Sequence, residues 1–359
     1  KSTDYSDAYA TPVLTAGKSF ILGKTNETDG IFDQLPVIIF DDFTTATQFV
    51  NFRFKVKSSA MKILHINADL VIPKYIFYRL QIIQFDHSTH KRCWIQSYSK
   101  IKVLIPPLDE QFRIVARIEE LFSELDKAVD TLKTTKEQLE VYRQAVLKDA
   151  FQEKESIIHL GDAIEKPRYG TSKKCDYPCT ANSTAVLRIP NIDTKNGRVD
   201  SSNLKYAEFN EKELEQLSLK NGDILIIRSN GSISLVGSSA IIRKCDTDKT
   251  YAGYLMRLRI LNKEKLLPQY LLYYLSSPDA RRYIESVAKS TSGVNNINSQ
   301  EISKLCVPLS SIEKQEKTVA EIEMKLSVYH EIEKSVDTVL VQADAMRQSI
   351  LKQAFEGAM

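Results

Sequence analysis

The stretch "VLIPPLDEQFRIVARIEELF" begins at Val103, and a close variant, "VPLSSIEKQEKTVAEIEMKL", begins at Val307. One offset, 307 − 103 = 204, aligns the two without a gap for about fifty positions. Ser99-Lys100 falls on Ser303-Lys304, Gln111 on Gln315, Val115-Ala116 on Val319-Ala320 and Ile118-Glu119 on Ile322-Glu323. Further on, Arg143-Gln144, Leu147-Lys148 and Ala150-Phe151 fall on Arg347-Gln348, Leu351-Lys352 and Ala354-Phe355. Solenoid units run to a few tens of residues, so this long period means two similar halves.

Within the repeat the apolar residues keep a seven-residue beat. From Leu108 to about Phe151 it runs through Ile118, Leu125, Leu132, Leu139 and Val146, interleaved with Leu121, Ala128, Thr135 and Tyr142. The second copy has Ile322, Tyr329, Val336, Ala343 and Ile350, interleaved with Leu326, Ile332, Val339 and Met346. Neither segment contains an internal proline or glycine, so each reads as a long coiled-coil helix. At 1.5 Å per residue each spans roughly 60–65 Å and needs a partner stripe. The other copy, in the same chain, supplies one. Antiparallel pairing of helices of equal length is expected to bring Leu125 and Tyr329 near each other.

Pro106, Pro107 and Pro308 end the preceding structure and restart the chain as helix, acting as rigid hinges. The segments expected are therefore globular 1–105, a helical spacer at 106–155, globular 156–307 and a helical spacer at 308–359. In the second block 185–192, 222–232, 238–244 and 253–261 have the β-branched runs of strands, and 268–284 reads as one or two helices. The first block offers "TPVLTAG", "LPVIIFDDF" and "SSAMKIL" as strands and 73–83 as a helix. Both blocks are mixed α/β. Extended backwards, the offset would start the first block about fifty residues before Lys1, so an N-terminal piece of that block is expected to be absent.

Composition places limits on function. Of 359 residues 43% are hydrophobic and 26% charged, with a net charge of +3. No apolar run approaches the roughly 20 residues of a membrane span. The polar start "KSTDYSDAYA" lacks a secretory core, which points to the cytoplasm. Five scattered cysteines (Cys93, Cys175, Cys179, Cys245, Cys306) argue against a disulfide framework. Cys175 and Cys179 have half of a zinc spacing but no second pair accompanies them. Nucleotide loops and zinc-protease motifs are absent, as is the Asn/Asp-Pro-Pro-aromatic motif of amino-methyltransferases. "DDFTT" at 41–45 pairs two carboxylates that could hold magnesium or act as a base, without the further acid and lysine a nuclease needs. No catalytic residue and no metal site is assigned.

Hydrogen-bonding side chains instead gather on glycine-punctuated loops. "PRYGTSKK" supplies Arg168, Tyr169, Thr171, Ser172 and Lys173; "RIPN" adds Arg188 and Asn191; "RSNGS" adds Arg228, Ser229, Asn230 and Ser232; "STSGVNNINSQ" adds Asn295 and Asn296. The first block offers Thr15 and Lys18, Thr25 and Asn26, Thr44 and Thr45, Lys57 and Ser58, and Lys91 and Arg92, with Trp94 expected to pack. Arginine can pair with guanine and asparagine with adenine, while lysine and hydroxyls hold phosphates. Any one such loop is ordinary turn chemistry. Four in one block favour a double-stranded DNA reader over the alternative, a coiled-coil protein scaffold.

The segments "PPLDEQFRIVARIEELF" and "QAVLKDAF", their copies "SSIEKQEKTVAEIE" and "QSILKQAF", and "PRYGTS", "LRIPNI" and "GDILIIRSNGS" together resemble the specificity subunits of type I restriction-modification enzymes. The first block contributes "PVLTAGKSFILGKTNET", "VIIFDDFTT" and "KSSAMK" to the resemblance. It implies two α/β target-recognition domains separated by two long helices that form an intramolecular antiparallel coiled coil. It further implies a non-catalytic chain that reads an asymmetric bipartite DNA site across a fixed gap. Two modification subunits would dock on the repeats. Restriction subunits would join them, with S-adenosylmethionine, ATP and Mg on these partners and no cofactor on this chain.

Overall fold

The computed structural model describes residues 5–15, 20–57, 60–83, 93–95, 98–153, 155–177, 182–291 and 293–357. Two compact units emerge: Lys1–Thr134 with Ser335–Met359, and Thr135–Lys334. The dividing line cuts both long helices, Leu108–Ala150 and Ile312–Phe355, so each unit holds one globular block and part of each helix.

In the first unit, strands Ile21–Thr25, Thr11–Leu14, Phe54–Val56 and Ile31–Phe32 lie side by side in that order, and Val37–Asp41 sits between Thr47–Val50 and Met61–Leu64. "VIIF" is a continuous apolar run because its strand is central, with all five residues of Val37–Asp41 buried. In the second unit the equivalent run, Ile224–Ile227, is buried throughout and pairs antiparallel with Ser239–Ile241 and Leu255–Leu258. Arg168–Tyr169 extends this sheet beside Leu255–Leu258, with Tyr169 opposite Met256. The helical stretch after Leu267 is two helices, Pro268–Leu275 and Pro278–Val287, each opening with proline at its first turn. Pro308 differs from the expected hinge. It lies in a strand, Cys306–Leu309, that pairs with Ser156–His159 before the helix starts at Ile312.

Inside each unit the repeat becomes one packing motif used twice. Gln111 is fully buried; its amide oxygen accepts from Ile72 N–H (2.8 Å) and its nitrogen donates to the carbonyls of Leu70 (3.2 Å) and Pro106 (2.8 Å). Gln315, equally buried, accepts from Leu267 N–H (2.9 Å) and donates to Lys265 (2.9 Å) and Ser310 (2.8 Å). Ile72 and Leu267 each immediately precede the proline that opens a short helix, Pro73–Gln81 or Pro268–Leu275. On those helices Tyr75 meets Phe355 edge-on at 5.2 Å, and Tyr270 meets Phe151 at 5.1 Å. One turn later Tyr78 donates to Glu119 (3.4 Å) and Tyr273 to Glu323 (3.5 Å). Burial, reinforced by the glutamate, pushes both hydroxyls up to about 12.

The long helices pack antiparallel within each unit. Ile118 shares a core with Leu351 and Ala354 while Asp126 pairs with Arg347; in the second unit Tyr329 donates to Glu140 (2.8 Å), and Leu147 and Phe151 join the core of Ile322 and Leu326. The first row of the expected seam largely holds: Ile118, Leu125, Leu139, Val146, Ile322, Tyr329, Val336 and Ala343 are buried, while Leu132 and Ile350 are half-buried. The second row is mostly shifted by one residue. Ala128 and Tyr142 are exposed, as are Ile332, Val339 and Met346; Val129, Arg143, Glu333, Leu340 and Arg347 turn inward instead. Charged residues there hid the true row from an apolar count. Tyr329 meets Glu140, fifteen residues (140 − 125) beyond Leu125. Residues related by the 204 offset are therefore equivalent to each other and do not face each other, which corrects the expected Leu125–Tyr329 approach.

Two outcomes follow from this packing. Gln315→Ala strands one N–H and two carbonyls in a dry site and should destabilise the chain by about 2–4 kcal/mol in urea unfolding, whereas the exposed neighbour change Glu316→Gln should stay within about 0.5 kcal/mol. Cysteines replacing Asp126 and Arg347 should cross-link within one chain under a short bifunctional reagent. Cross-links only between chains would contradict the antiparallel intrachain pairing.

Candidate nucleic-acid interface

In the second unit, loops far apart in sequence close around one cleft of about 690 Å3. Tyr169 to Lys173 form one wall, and Arg188, Lys205, Arg228, Ser229 and Tyr254 are among the residues that complete the lining. Among the described residues no carboxylate lines it. The walls are rigid for local reasons. Gly170 lies so close to the next strand that a Cβ there would sit 2.3 Å from the Tyr251 carbonyl oxygen, so only glycine fits. Below it Tyr251 is fully buried, and burial pushes its hydroxyl up to about 12.

Arg228 is held from two sides. Its guanidinium lies 4.4 Å from the centre of the Tyr169 ring, and Nη1 donates to the Gly253 carbonyl at 3.2 Å. Tyr169 is itself held, its hydroxyl accepting from Ser299 N–H at 2.9 Å. The Nε atoms of Arg228 and Arg188 are both buried without a hydrogen-bond partner, a costly state for a charged donor. Arg188 reaches the Asn203 carbonyl through Nη2 (3.3 Å). Lys205 has no carboxylate partner among the described residues and lies 5.1 Å from the centre of the Tyr177 ring. Lys173 is differently placed. It donates to Glu213 (2.6 Å) and to the Glu208 carbonyl (2.9 Å), and this contact with the Asn210 N–H holds Glu213 below the usual carboxylate range.

Ser229–Asn230 joins a three-stranded sheet with Val294–Asn296 and Lys289–Thr291, so "RSNGS" and "GVNN" meet although more than sixty residues separate them. Both loops use their asparagines on themselves. Asn230 accepts from Ser232 N–H (2.8 Å), and Asn295 donates to the Gly231 carbonyl (2.9 Å). Asn296 Oδ1 is buried without a partner. Thr171 accepts from Lys173 N–H (3.1 Å), Ser172 is exposed, and Arg168 points away to the Gln216 carbonyl (3.2 Å).

Asn191 is a correction. It is 1% exposed, accepts from Arg188 N–H (2.9 Å), and donates to the Asp200 (2.9 Å) and Asn203 (3.1 Å) carbonyls. It builds the loop and offers nothing to a ligand. Lys205 and Tyr254 line the cleft without having been expected there. Tyr254 is 62% exposed in the turn between Gly253 and the strand Leu255–Leu258, and an aromatic in that position was the available signal.

The first-block candidates stand on separate turns. Thr25 is 1% exposed and accepts from Glu27 N–H (3.2 Å), which removes it from any surface contact; its neighbour Asn26 is exposed. Asp41 binds Phe43 N–H (2.9 Å) and the Thr44 hydroxyl (2.7 Å), and Thr45 takes a positive φ of 58° in the same turn. Asp42 is fully buried, accepting from Trp94 N–H (2.8 Å). The carboxylate pair thus shapes a turn. Burial, then the nearby Asp42 and Asp41 charges, push the Cys93 thiol up. Trp94 packs against Phe40 (5.2 Å) as expected. Lys57 covers the Tyr5 ring at 4.5 Å, and Thr15 N–H donates to the Phe20 carbonyl (3.0 Å). Lys18, Ser58, Lys91, Arg92 and Cys179 lie outside the described residues. Among the described residues no cluster of potential metal ligands occurs, and no helix is long and apolar enough to cross a membrane.

No protein-family model matches the chain. Over 345 residues it is 34% identical to the type I restriction enzyme EcoR124I/EcoR124II specificity subunit of Escherichia coli, covering 89% of this chain and 80% of that one. The EcoKI specificity subunit of Escherichia coli strain K12 is 29% identical over 278 residues, covering 73% of this chain and 59% of its own length. Among solved structures, a chain from work on complex assembly and conformational transition of the type I R-M system superposes with a TM-score of 0.65 at 17% identity, covering 89% of this chain and 81% of that one. The HsdS subunit of Thermoanaerobacter tengcongensis does so with 0.51 at 16% identity, covering 90% and 81%. The fold is thus shared with these structures, and, by its likeness to the EcoR124I/EcoR124II subunit, the chain belongs to the family of type I restriction enzyme specificity subunits.

Proposed function

We propose that this chain is the DNA-reading, non-catalytic subunit of a type I restriction-modification complex, each globular block reading one half of an asymmetric site across a fixed gap. The observation that carries this is the cleft of the second unit. Sequence-distant loops bring Arg188, Lys205 and Arg228 together with Tyr169 and Tyr254, with no carboxylate among the described residues lining the space. A concave, uncompensated cationic surface with polar and aromatic side chains suits the phosphates and acceptor-rich edges of duplex DNA. A protein scaffold would have no use for Arg228 held over a tyrosine ring with no ion pair among the described residues.

The remaining roles belong to partners. Two modification subunits dock on the repeated segments and bring S-adenosylmethionine to the adenine. Restriction subunits add the ATP- and Mg-dependent steps, in the cytoplasm where the DNA is. This chain contributes position and base choice.

DNA binding by the full chain with its modification partner should weaken steeply with salt. Lys205→Ala should reduce the slope of log affinity against log salt by about one and weaken all sequences alike. Lys173→Ala should change it less, because Glu213 already neutralises that charge. Affinity indifferent to salt and to sequence would favour the scaffold reading. Exchanging residues 156–307 for those of a related subunit should alter one half of the methylated site and leave the other half and the gap unchanged; a changed gap would contradict the assignment of base choice to the block.

A further inference from the structure

We infer that Arg228 selects a guanine in the half-site read by residues 156–307, and that Tyr169 is the residue that positions it. The inference rests on the DNA-reading function and specifies its chemistry. An arginine discriminates bases when its guanidinium plane is fixed before the DNA arrives and when two adjacent donors remain unmatched. Both conditions hold at Arg228. The guanidinium carbon lies over the Tyr169 ring at 4.4 Å and Nη1 bonds the Gly253 carbonyl, so the group is held from two sides. Tyr169 cannot drift, because its backbone lies in register with Met256 and its hydroxyl meets Ser299 N–H. Nε is buried against the protein, so the donors open to the cleft lie at the Nη1–Nη2 end, where Nη1 keeps a second N–H beyond its Gly253 bond and Nη2 has no hydrogen bond among the described residues.

Guanine presents two acceptors, O6 and N7, side by side in the major groove. Adenine replaces one of them with an amino donor, which would face a donor on Arg228. A phosphate also accepts from two donors, but it carries no base identity; the planar fork of Arg228, held by the Tyr169 ring and the Gly253 carbonyl, matches the paired acceptors of guanine, whereas Lys205 is a point charge that suits a phosphate. The neighbouring asparagines do not compete for the role. Adenine readout needs both ends of the amide, and Asn230 has its oxygen committed to Ser232 while Asn295 has its nitrogen committed to Gly231.

The test is selection from a randomised duplex pool by the full chain in complex with its modification subunits. The unaltered complex should enrich a guanine at one fixed position of one half-site. Arg228→Lys, which keeps the charge and loses the fork, should lower discrimination at that position roughly ten- to hundredfold while the opposite half-site stays intact as an internal check of folding. Tyr169→Leu should lower it too, whereas Tyr169→Phe, which keeps the ring face and the strand register and loses only the Ser299 contact, should retain most of it. A half-site without guanine, a guanine preference that survives Arg228→Lys, or a uniform loss at all positions overturns the inference. Failure of the unaltered complex to enrich any sequence would instead refute the DNA-reading function beneath it.

Discussion

A buried amide at the start of each long helix organises the molecule. Gln111 and Gln315 each satisfy one N–H and two carbonyls that would otherwise be stranded at the junction of block and helix. The geometry of three simultaneous hydrogen bonds in a dry site leaves little freedom for how a block attaches. Around each amide the same side chains recur: a tyrosine against a phenylalanine from the other helix, and a second tyrosine on a glutamate. Each aromatic pair ties a block to the end of one helix and the start of the other, which is why each compact unit needs both helices.

Because the attachment is the same in both units, the blocks are free to differ in what they present. The second carries a rigid cationic cleft; the first places its polar side chains on separate turns, several of them closed by their own hydrogen bonds. Constant attachment with different loops suits the proposed division of the chain into two blocks that read different bases. Within the cleft, roles divide by what each side chain has left to offer. Asparagines build the loops, Lys173 is neutralised by Glu213, and the arginines with Lys205 keep unmatched donors.

Much of this was legible in the sequence. The 204-residue offset marked Gln111 and Gln315 as equivalent, and the absence of proline and glycine marked the two helices. Central strands were visible as apolar runs, while short edge strands such as Lys205–Glu208 carried too little pattern to be seen. The inward row of the helix pair escaped because Arg143, Glu333 and Arg347 occupy it; their hydrogen bonds and ion pairs compensate for burial, and no hydropathy count registers that. Loop side chains were legible as a set but not one by one. Asn191 and Arg228 look alike in sequence as polar residues near turns, and only the hydrogen-bond partners separate a residue buried for architecture from one left facing the cleft.

The most direct test of the account is a genome-wide map of methylated adenines in cells carrying this chain and its modification partner. Two like units attached in the same way to helices of fixed length predict one motif made of two unrelated specified blocks separated by an unspecified gap of constant length. A single continuous motif, or a gap that varies from site to site, would contradict it.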